Sequence, residues 1–228
     1  MKKALKLIGI TLFVFLVLGC GAKTPSKYID RHYPTGLSES EKVAIILHLI
    51  RENDRYILSE SRHESFYSCL SDSIHKERRK IKIFPFDKTI PIVRLARKTC
   101  PDEPENKERY FECLKNNKSI KHLEAQGVRY LIIFDYYKED SKGYIDSSKE
   151  YVLYTHKTWS EFTDLYAEIY DLRNDHLSGE ISVSDWGTEG YGFGCCYIVP
   201  IPYFWFSNTE SKSCEFLGEN IEKFISDN

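Results

Sequence analysis

The side chains in this sequence best suited to chemistry are its cysteines and histidines, and their spacing decides which chemistry is open to them. Seven cysteines stand at 20, 69, 100, 113, 195, 196 and 214, and seven histidines at 32, 48, 63, 75, 122, 156 and 176. A tetrahedral zinc site is usually assembled from C-x-x-C or H-x-x-x-H pairs. Neither spacing occurs, and the vicinal pair Cys195-Cys196 is poorly placed to chelate one ion, so no metal and no other cofactor is expected. The stretch GYGFGCCYIVPIPYFWF at 190–206 carries alternating glycines at 190, 192 and 194. A dinucleotide loop needs G-x-G-x-x-G opening onto a helix whose N–H groups face the pyrophosphate. CYIVPIP starts no helix, so the glycines predict a loop or irregular strand where backbone and rings pack closely. There is no G-x-S-x-G elbow and no H-E-x-x-H. DLRNDHLSGE offers oxygen ligands without EF-hand spacing and reads as a hairpin connection. The expectation is a protein that is not an enzyme.

Compartment decides how the cysteines are to be understood. Lys2, Lys3 and Lys6 precede an apolar run over 7–18. Twelve helical residues span about 18 Å against the roughly 30 Å hydrocarbon core of a bilayer, which predicts a signal-peptide core rather than a membrane span. Val17-Leu18-Gly19 before Cys20 resembles a bacterial lipobox. That resemblance implies that 1–19 is a lipoprotein signal peptide and that Cys20 is lipidated, anchoring the chain to an envelope membrane. Gly21 stands where an Asp would imply retention at the inner membrane, so the implied location is the outer membrane, facing the periplasm. Residues 20–36, polar with Pro and Gly near their ends, predict a flexible tether of roughly 20 to 24 Å reach.

Removal of 1–19 leaves 209 residues and, with three lysines gone, shifts the formal charge from −2 to −5. That length suits one domain, 37–228, with a real core. An acidic balance argues against nucleic acid as a partner, since phosphates require clustered Lys and Arg. The dense basic run HKERRKIK at 75–82 fits a solvated helix C-terminus. Cys69, Cys100, Cys113, Cys195, Cys196 and Cys214 remain as disulfide candidates in an oxidising envelope. Cys100 with Cys113 is the most local plausible pair.

The elements that must position these residues follow from periodicity. Ser38 and Glu41 match a capping box, and Val43, Ile46, Leu47 and Ile50 recur at helical spacing, which predicts a helix over 39–53. A second helix is expected over 62–79, with Phe66, Leu70, Ser73 and Ile74 on one side and Cys69 beside them. KIKIFPF at 80–86 alternates like a strand, and 89–104 holds a short element of undetermined type. A helix over 105–126, divided near Asn116-Asn117 and closed by Gly127, leads into a central strand at 128–137. Strands follow at 151–159, 162–172 and 180–187. Along the second, Phe162, Asp164, Tyr166, Glu168 and Tyr170 share one face, and Thr163, Leu165, Ala167, Ile169 and Asp171 the other. Ser207 and Glu210 make another capping box before a helix that turns Cys214, Leu217, Ile221 and Phe224 inward, with Cys195 or Cys196 a natural partner for Cys214. The fold class is α+β: a mixed, mainly antiparallel sheet packed by helices.

Several of these residues also carry a resemblance. Gly127, Arg129 and Tyr130, then Tyr166, Glu168, Asp171, Leu172, Gly179 and Gly187, then Pro200 and Pro202, then Cys214 and Leu217 follow an order similar to that of uncharacterised bacterial surface lipoproteins. More widely, 119–226 resembles envelope α/β domains of the Tol propeller N-terminal domain, penicillin-binding-protein-activator and curli secretion lipoproteins. The resemblance brings no catalytic residues. The functional expectation is an interaction or assembly module at the membrane, touching a protein partner or another copy through Tyr203, Phe204, Trp205 and Phe206 if these are exposed; the other reading of these rings is that they fill the core under the last helix. A periplasmic module for a small or cell-wall ligand is the alternative.

Overall fold

The computed structural model describes residues 25–57, 59–75, 81–100, 107–140, 144–146, 155–196, 199–205 and 208–226; Arg97 and the stretches 144–146, 155–159 and 189–205 are described by backbone alone. The elements are β1 (Ser26–Arg31), β2 (Lys42–Glu52), β3 (Arg55–Tyr56), α1 (Glu60–His75), β4 (Lys82–Ile83), α2 (Phe86–Thr99), α3 (Lys107–Asn116), α4 (Ser119–Ala125), β5 (Val128–Asp140), β6 (Tyr144–Asp146), β7 (Thr155–Asp171), β8 (His176–Cys196), β9 (Val199–Trp205) and α5 (Thr209–Ser226). The strands form one sheet in the order β1-β8-β7-β5-β2-β3, with β4 on β2, β6 on β7 and β9 on β8. β2 runs parallel to β5 and β4, and the other described pairings are antiparallel. This is one α+β domain with a mixed, mainly antiparallel sheet.

β2 corrects the helix expected over 39–53. Val43, Ile45, Leu47 and Ile50 enter the core on one side of the sheet, and Ala44 and Ile46 enter it on the other. A run that is apolar all round satisfies helical spacing by coincidence, and its β-branched residues suit a pleated strand covered on both faces. The capping contact itself is real: the Ser38 N–H donates to Glu41 Oε2 at 2.8 Å. It closes a turn and opens no helix.

The 20–36 tether is corrected as well. Residues 26–31 pair along β8 from Ser184 to Gly179, so the edge of the sheet begins eleven residues before the expected domain start at 37. A Cβ at Gly179 would collide with the Asp30 carbonyl and the Phe224 ring, and only glycine lets β1, β8 and α5 approach this closely.

Elsewhere sequence and structure agree in outline. α1 buries Phe66, Leu70, Ser73 and Ile74. The expected 80–86 strand shrinks to a two-residue pairing, and the undetermined segment after it becomes α2, with Pro91 inside. α3 and α4 divide at Asn117-Lys118, where Asn117 Oδ1 accepts the Ser119 N–H at 3.0 Å. Gly127 follows at φ 79°, an αL position suited to glycine. The two strands expected at 151–159 and 162–172 are one strand, β7, and the alternating glycines continue β8 in regular register with β7 and β9. Antiparallel pairing on both sides makes that stretch architecture.

Helices cover the two sides of the sheet unequally. On one side α1 and α5 pack over β2, β5, β7 and β8, through Phe66, Leu70, Leu217, Ile221 and Phe224 against Tyr130, Phe134, Leu165, Ile169, Ile181 and Val183. On the other side α2, α3 and α4 pack over β2 and β5, and reach β7 at Tyr170, where the Phe111 ring stacks at 3.9 Å between centroids. Among the described residues each layer carries one cross-link. Cys69–Cys214 joins α1 to α5, which corrects the expected Cys195 or Cys196 partner of Cys214, and Cys100–Cys113 joins the end of α2 to α3. Cys214 lies 145 residues from its partner, a separation at which spacing carries no pairing information.

Candidate functional site

Among the described residues, the short reach of the α2–α4 layer leaves one side of β1, β8 and β7 uncovered. Antiparallel register sets its side chains in rows. Asp30, Glu180 and Glu168 form the first row, Tyr28, Ser182 and Tyr166 the second, Ser26, Ser184 and Asp164 the third, and Trp186 opposite Phe162 the fourth. Tyr28 is 60% exposed, Trp186 45% and Phe162 38%. Four carboxylates and three accessible rings thus share a surface three strands wide.

Hydroxyl groups dress those carboxylates. Tyr166 Oη donates to Glu180, Ser184 Oγ to Asp164 and Tyr170 Oη to Glu168 Oε2, the last at 2.6 Å. Burial pushes the Glu168 carboxyl up from its ordinary value, against the Tyr170 hydrogen bond and Lys107, with the charges of Glu180 and Asp135 adding to the rise. Burial likewise raises Asp164, Ser184 opposes the shift, and Glu139 adds to it. Burial and the Glu180 carboxylate raise the Tyr166 phenol.

Where the open side passes under α3, a buried polar cluster closes it. Lys107 Nζ lies 3.0 Å from Asp135 Oδ2, 3.9 Å from Glu168 Oε1 and 3.3 Å from the centre of the Tyr166 ring. The other oxygen of Asp135 lies 2.9 Å from His48 Nδ1. His48 occupies a register shift between Leu47 and Leu49, an extra residue against consecutive Phe134 and Asp135, and such bulges re-aim a side chain. A His–Asp pair is half of a base-activated nucleophile. Here, however, Asp135 is shared with a lysine, the imidazole lies 4.3 Å from the Tyr110 ring, and no Ser, Thr or Cys hydrogen-bonds to it among the described residues.

At the opposite end of β5 a second charged group acts as a clasp. Arg129 reaches the Gly36 carbonyl at 2.6 Å, Glu41 Oε2 at 3.3 Å and Asp171 Oδ2 at 3.2 Å, and Arg173 also binds Glu41. Gly127, Arg129, Tyr130, Asp171 and Leu172, which carry part of the sequence resemblance, all meet here, where Tyr130 Oη also accepts the Gly36 N–H at 3.0 Å. Their role is to seat the chain that enters the domain. A third feature is a cleft of about 410 Å³ between α1, α5 and the ends of β5 and β7. Its charges are already matched: Lys138 with Glu161 at 3.2 Å, and Glu210 with Arg62 at 2.7 Å.

Among the residues expected to act, Cys20 and Phe206 lie outside the described residues. Cys195 and Cys196 lie on β8 opposite Pro200 and Val199, and Tyr203, Phe204 and Trp205 on β9 opposite Gly192, Tyr191 and Gly190, all as backbone. The rings on the open side, Tyr28, Phe162 and Trp186, were missed as a group. The alternation that sets Phe162 on one face with Asp164, Tyr166 and Glu168 was the available signal. Among the described residues no group of His, Cys, Asp and Glu could hold a metal ion, and no helix is long and apolar enough to cross a membrane.

No protein-family model matches the chain, and no curated protein matches it. Several solved structures are similar at a low level. The PelC dodecamer from Paraburkholderia phytofirmans has 11% identity and a TM-score of 0.39, over 89% of this chain and 99% of that one. A putative neuraminyllactose-binding hemagglutinin homolog from Helicobacter pylori has 11% identity and a TM-score of 0.38, over 86% and 92%. Lipoprotein GNA1162 from Neisseria meningitidis has 13% identity and a TM-score of 0.25, over 67% and 83%. Likenesses this distant carry no argument about partners or activity.

Proposed function

We propose that this chain is an envelope lipoprotein, held at the outer membrane through lipidated Cys20, that works by binding a protein partner and catalyses no reaction. The observation that carries the reading is the open side of β1, β8 and β7. A sheet normally buries one side and wets the other with polar groups, whereas this one exposes Trp186 and Phe162 in one row and Tyr28 two rows away, with carboxylates between and beside them. Clustered aromatics on a rigid scaffold are the usual anchors of protein interfaces. The charged groups of the polar clusters elsewhere are paired with one another, although Arg129 Nε is buried without a hydrogen bond among the described residues, and they suit support more than turnover.

The test is photo-crosslinking in intact cells, with a photoreactive phenylalanine analogue at position 186 and, as a control, at the exposed Glu215 position on α5. Position 186 is expected to yield a discrete protein adduct that the control does not. Equal adducts from both positions, or none from 186, would overturn the reading. A Cys20→Ser chain released from the membrane fraction is the expected companion result, and one that stays membrane-bound would remove the lipid anchor from the account.

A further inference from the structure

We propose that the open side of β1, β8 and β7 receives an extended, arginine- or lysine-bearing segment of a partner protein, its cations meeting the carboxylates and its side-chain stems lying on the rings. The proposal rests on the reading of this surface as a docking site and adds the chemistry of what docks. Charge comes first. Asp30, Glu180, Glu168 and Asp164 lie within three rows, and among the described residues only His32, at 3.5 Å from Asp30, and Lys107, at 3.9 Å from Glu168, come within ion-pair range of them. Lys107 already serves Asp135 at 3.0 Å. A surplus of anion therefore faces outward on a chain of net negative charge, which favours cationic partners by steering and by complementarity. Burial is the main cause of the upward push on Asp164 and Glu168; Glu139 adds to it at Asp164 with no cation opposing, whereas at Glu168 Lys107 opposes it.

Lys107 displays the mode of recognition within the molecule. Its ammonium sits over the Tyr166 ring and between two carboxylates, a cation held by a π face and by charge together. One row further along, Asp164 stands beside Phe162 and Trp186, with Tyr28 and Asp30 across the strands, so the same pairing of ring and carboxylate recurs with no lysine of the fold supplied to it among the described residues.

Spacing specifies the form of the guest. Rows on one side of a strand repeat about every 6.8 Å, and neighbouring strands lie about 4.8 Å apart. An extended segment presents alternate side chains at the same repeat, so Arg or Lys at i, i+2 and i+4 would meet successive rows. Rows of side chains on a sheet side offer an extended surface, which suits a polypeptide better than a small ligand.

The direct experiment measures fluorescence polarisation of a labelled peptide, acetyl-(Arg-Ser)4-amide, with the full-length protein in detergent; acetyl-(Glu-Ser)4-amide is the control. The arginine peptide is expected to bind and the glutamate peptide not to. Binding should weaken about tenfold or more in the Asp164→Asn/Glu180→Gln variant, and should fall between about 50 mM and about 300 mM salt. Because a variant can fail by unfolding, Asp164→Lys/Glu180→Lys supplies the converse and is expected to take up the glutamate peptide. Equal binding of both peptides, or no change in the Asn/Gln variant, overturns the inference. If position 186 still crosslinks a partner in cells while the arginine peptide fails to bind, docking stands and the basic segment falls. If neither occurs, both fall. An adduct between two copies of this chain would replace the partner protein with self-association and overturn the proposal as stated.

Discussion

Glu41 and Asp171 at one end of the sheet, and Asp164 and Glu168 on its open side, are carboxylates partly withdrawn from water, yet their surroundings treat them in opposite ways. Burial opposes the ionisation of Glu41, but the Ser38 hydrogen bonds and the Arg129 guanidinium outweigh it, so its carboxyl titrates below the ordinary range. Asp171 accepts from Arg129 at 3.2 Å, from the Arg173 N–H at 3.1 Å and from Asn174 Nδ2 at 2.9 Å. Asp164 and Glu168 receive one hydroxyl each, from Ser184 and Tyr170, and are pushed up. Two guanidinium groups, Arg129 and Arg173, neutralise the carboxylates where the entering chain is seated, and among the described residues the open side has none. Uncompensated charge that folding does not need is a reasonable sign of a surface arranged for something else.

One of the two largest effects should come from emptying the clasp. Arg129→Met leaves Glu41 and Asp171 facing each other without their shared cation, and a broken, largely buried pair costs about 3 to 5 kcal/mol. Urea unfolding should record that loss. A loss below about 1 kcal/mol would mean that the clasp is no firmer than the open side and would dissolve the contrast. Comparable in size is the effect of the cross-link behind the open strands. Cys69–Cys214 fixes the α1–α5 layer against β7 and β8 and closes a loop spanning 145 residues, whereas Cys100–Cys113 spans 13. Chain entropy ranks the longer loop as the larger contribution, about 4 to 5 kcal/mol against about 3. Alanine pairs at each site, compared by thermal unfolding, are expected to keep that order. The reverse order would show that the covering layer matters less to the open strands than α2–α3 does to its own side.

How much of this was legible in the sequence depends on whether the signal was local. Gly127, the break at Asn116-Asn117 and the inward step of Cys214, Leu217, Ile221 and Phe224 are properties of a turn or a helix face, and they were found. Val43 to Ile50 misled because residues on both sides of β2 are apolar, which erases the difference between periods of two and 3.6. His48 was consequently placed at a helix edge rather than at a bulge beside Asp135. The alternation of Phe162, Asp164, Tyr166 and Glu168 was visible, but which strands the α2–α4 layer leaves bare depends on where three separate helices stop. Neither that limit nor the Cys69 partner of Cys214 has any trace in local spacing.

The smallest predicted effect is also the most direct comparison of the two acidic groups, because it reads them in one titration. Asp164 and Glu168 have folded-state values raised above the ordinary 3.8 and 4.5, so their favourable contribution is fully present below those values and is lost as pH rises through the folded ones. Glu41 is lowered from 4.5, so its contribution is present above 4.5 and is lost as pH falls through the folded value. Asp164→Asn/Glu168→Gln should therefore stabilise the protein at pH near 7, by less than about 1 kcal/mol once solvent screening is allowed for. That gain should fade toward pH 4. Glu41→Gln should destabilise near pH 7 and converge on the wild type as pH falls. Denaturant midpoints across this range decide the matter. A gain in the double variant that stayed constant with pH would assign it to packing, and the open side would lose its claim to unneutralised charge. A gain that faded together with binding of the arginine peptide would tie the small instability of this surface to the cation it is arranged to receive.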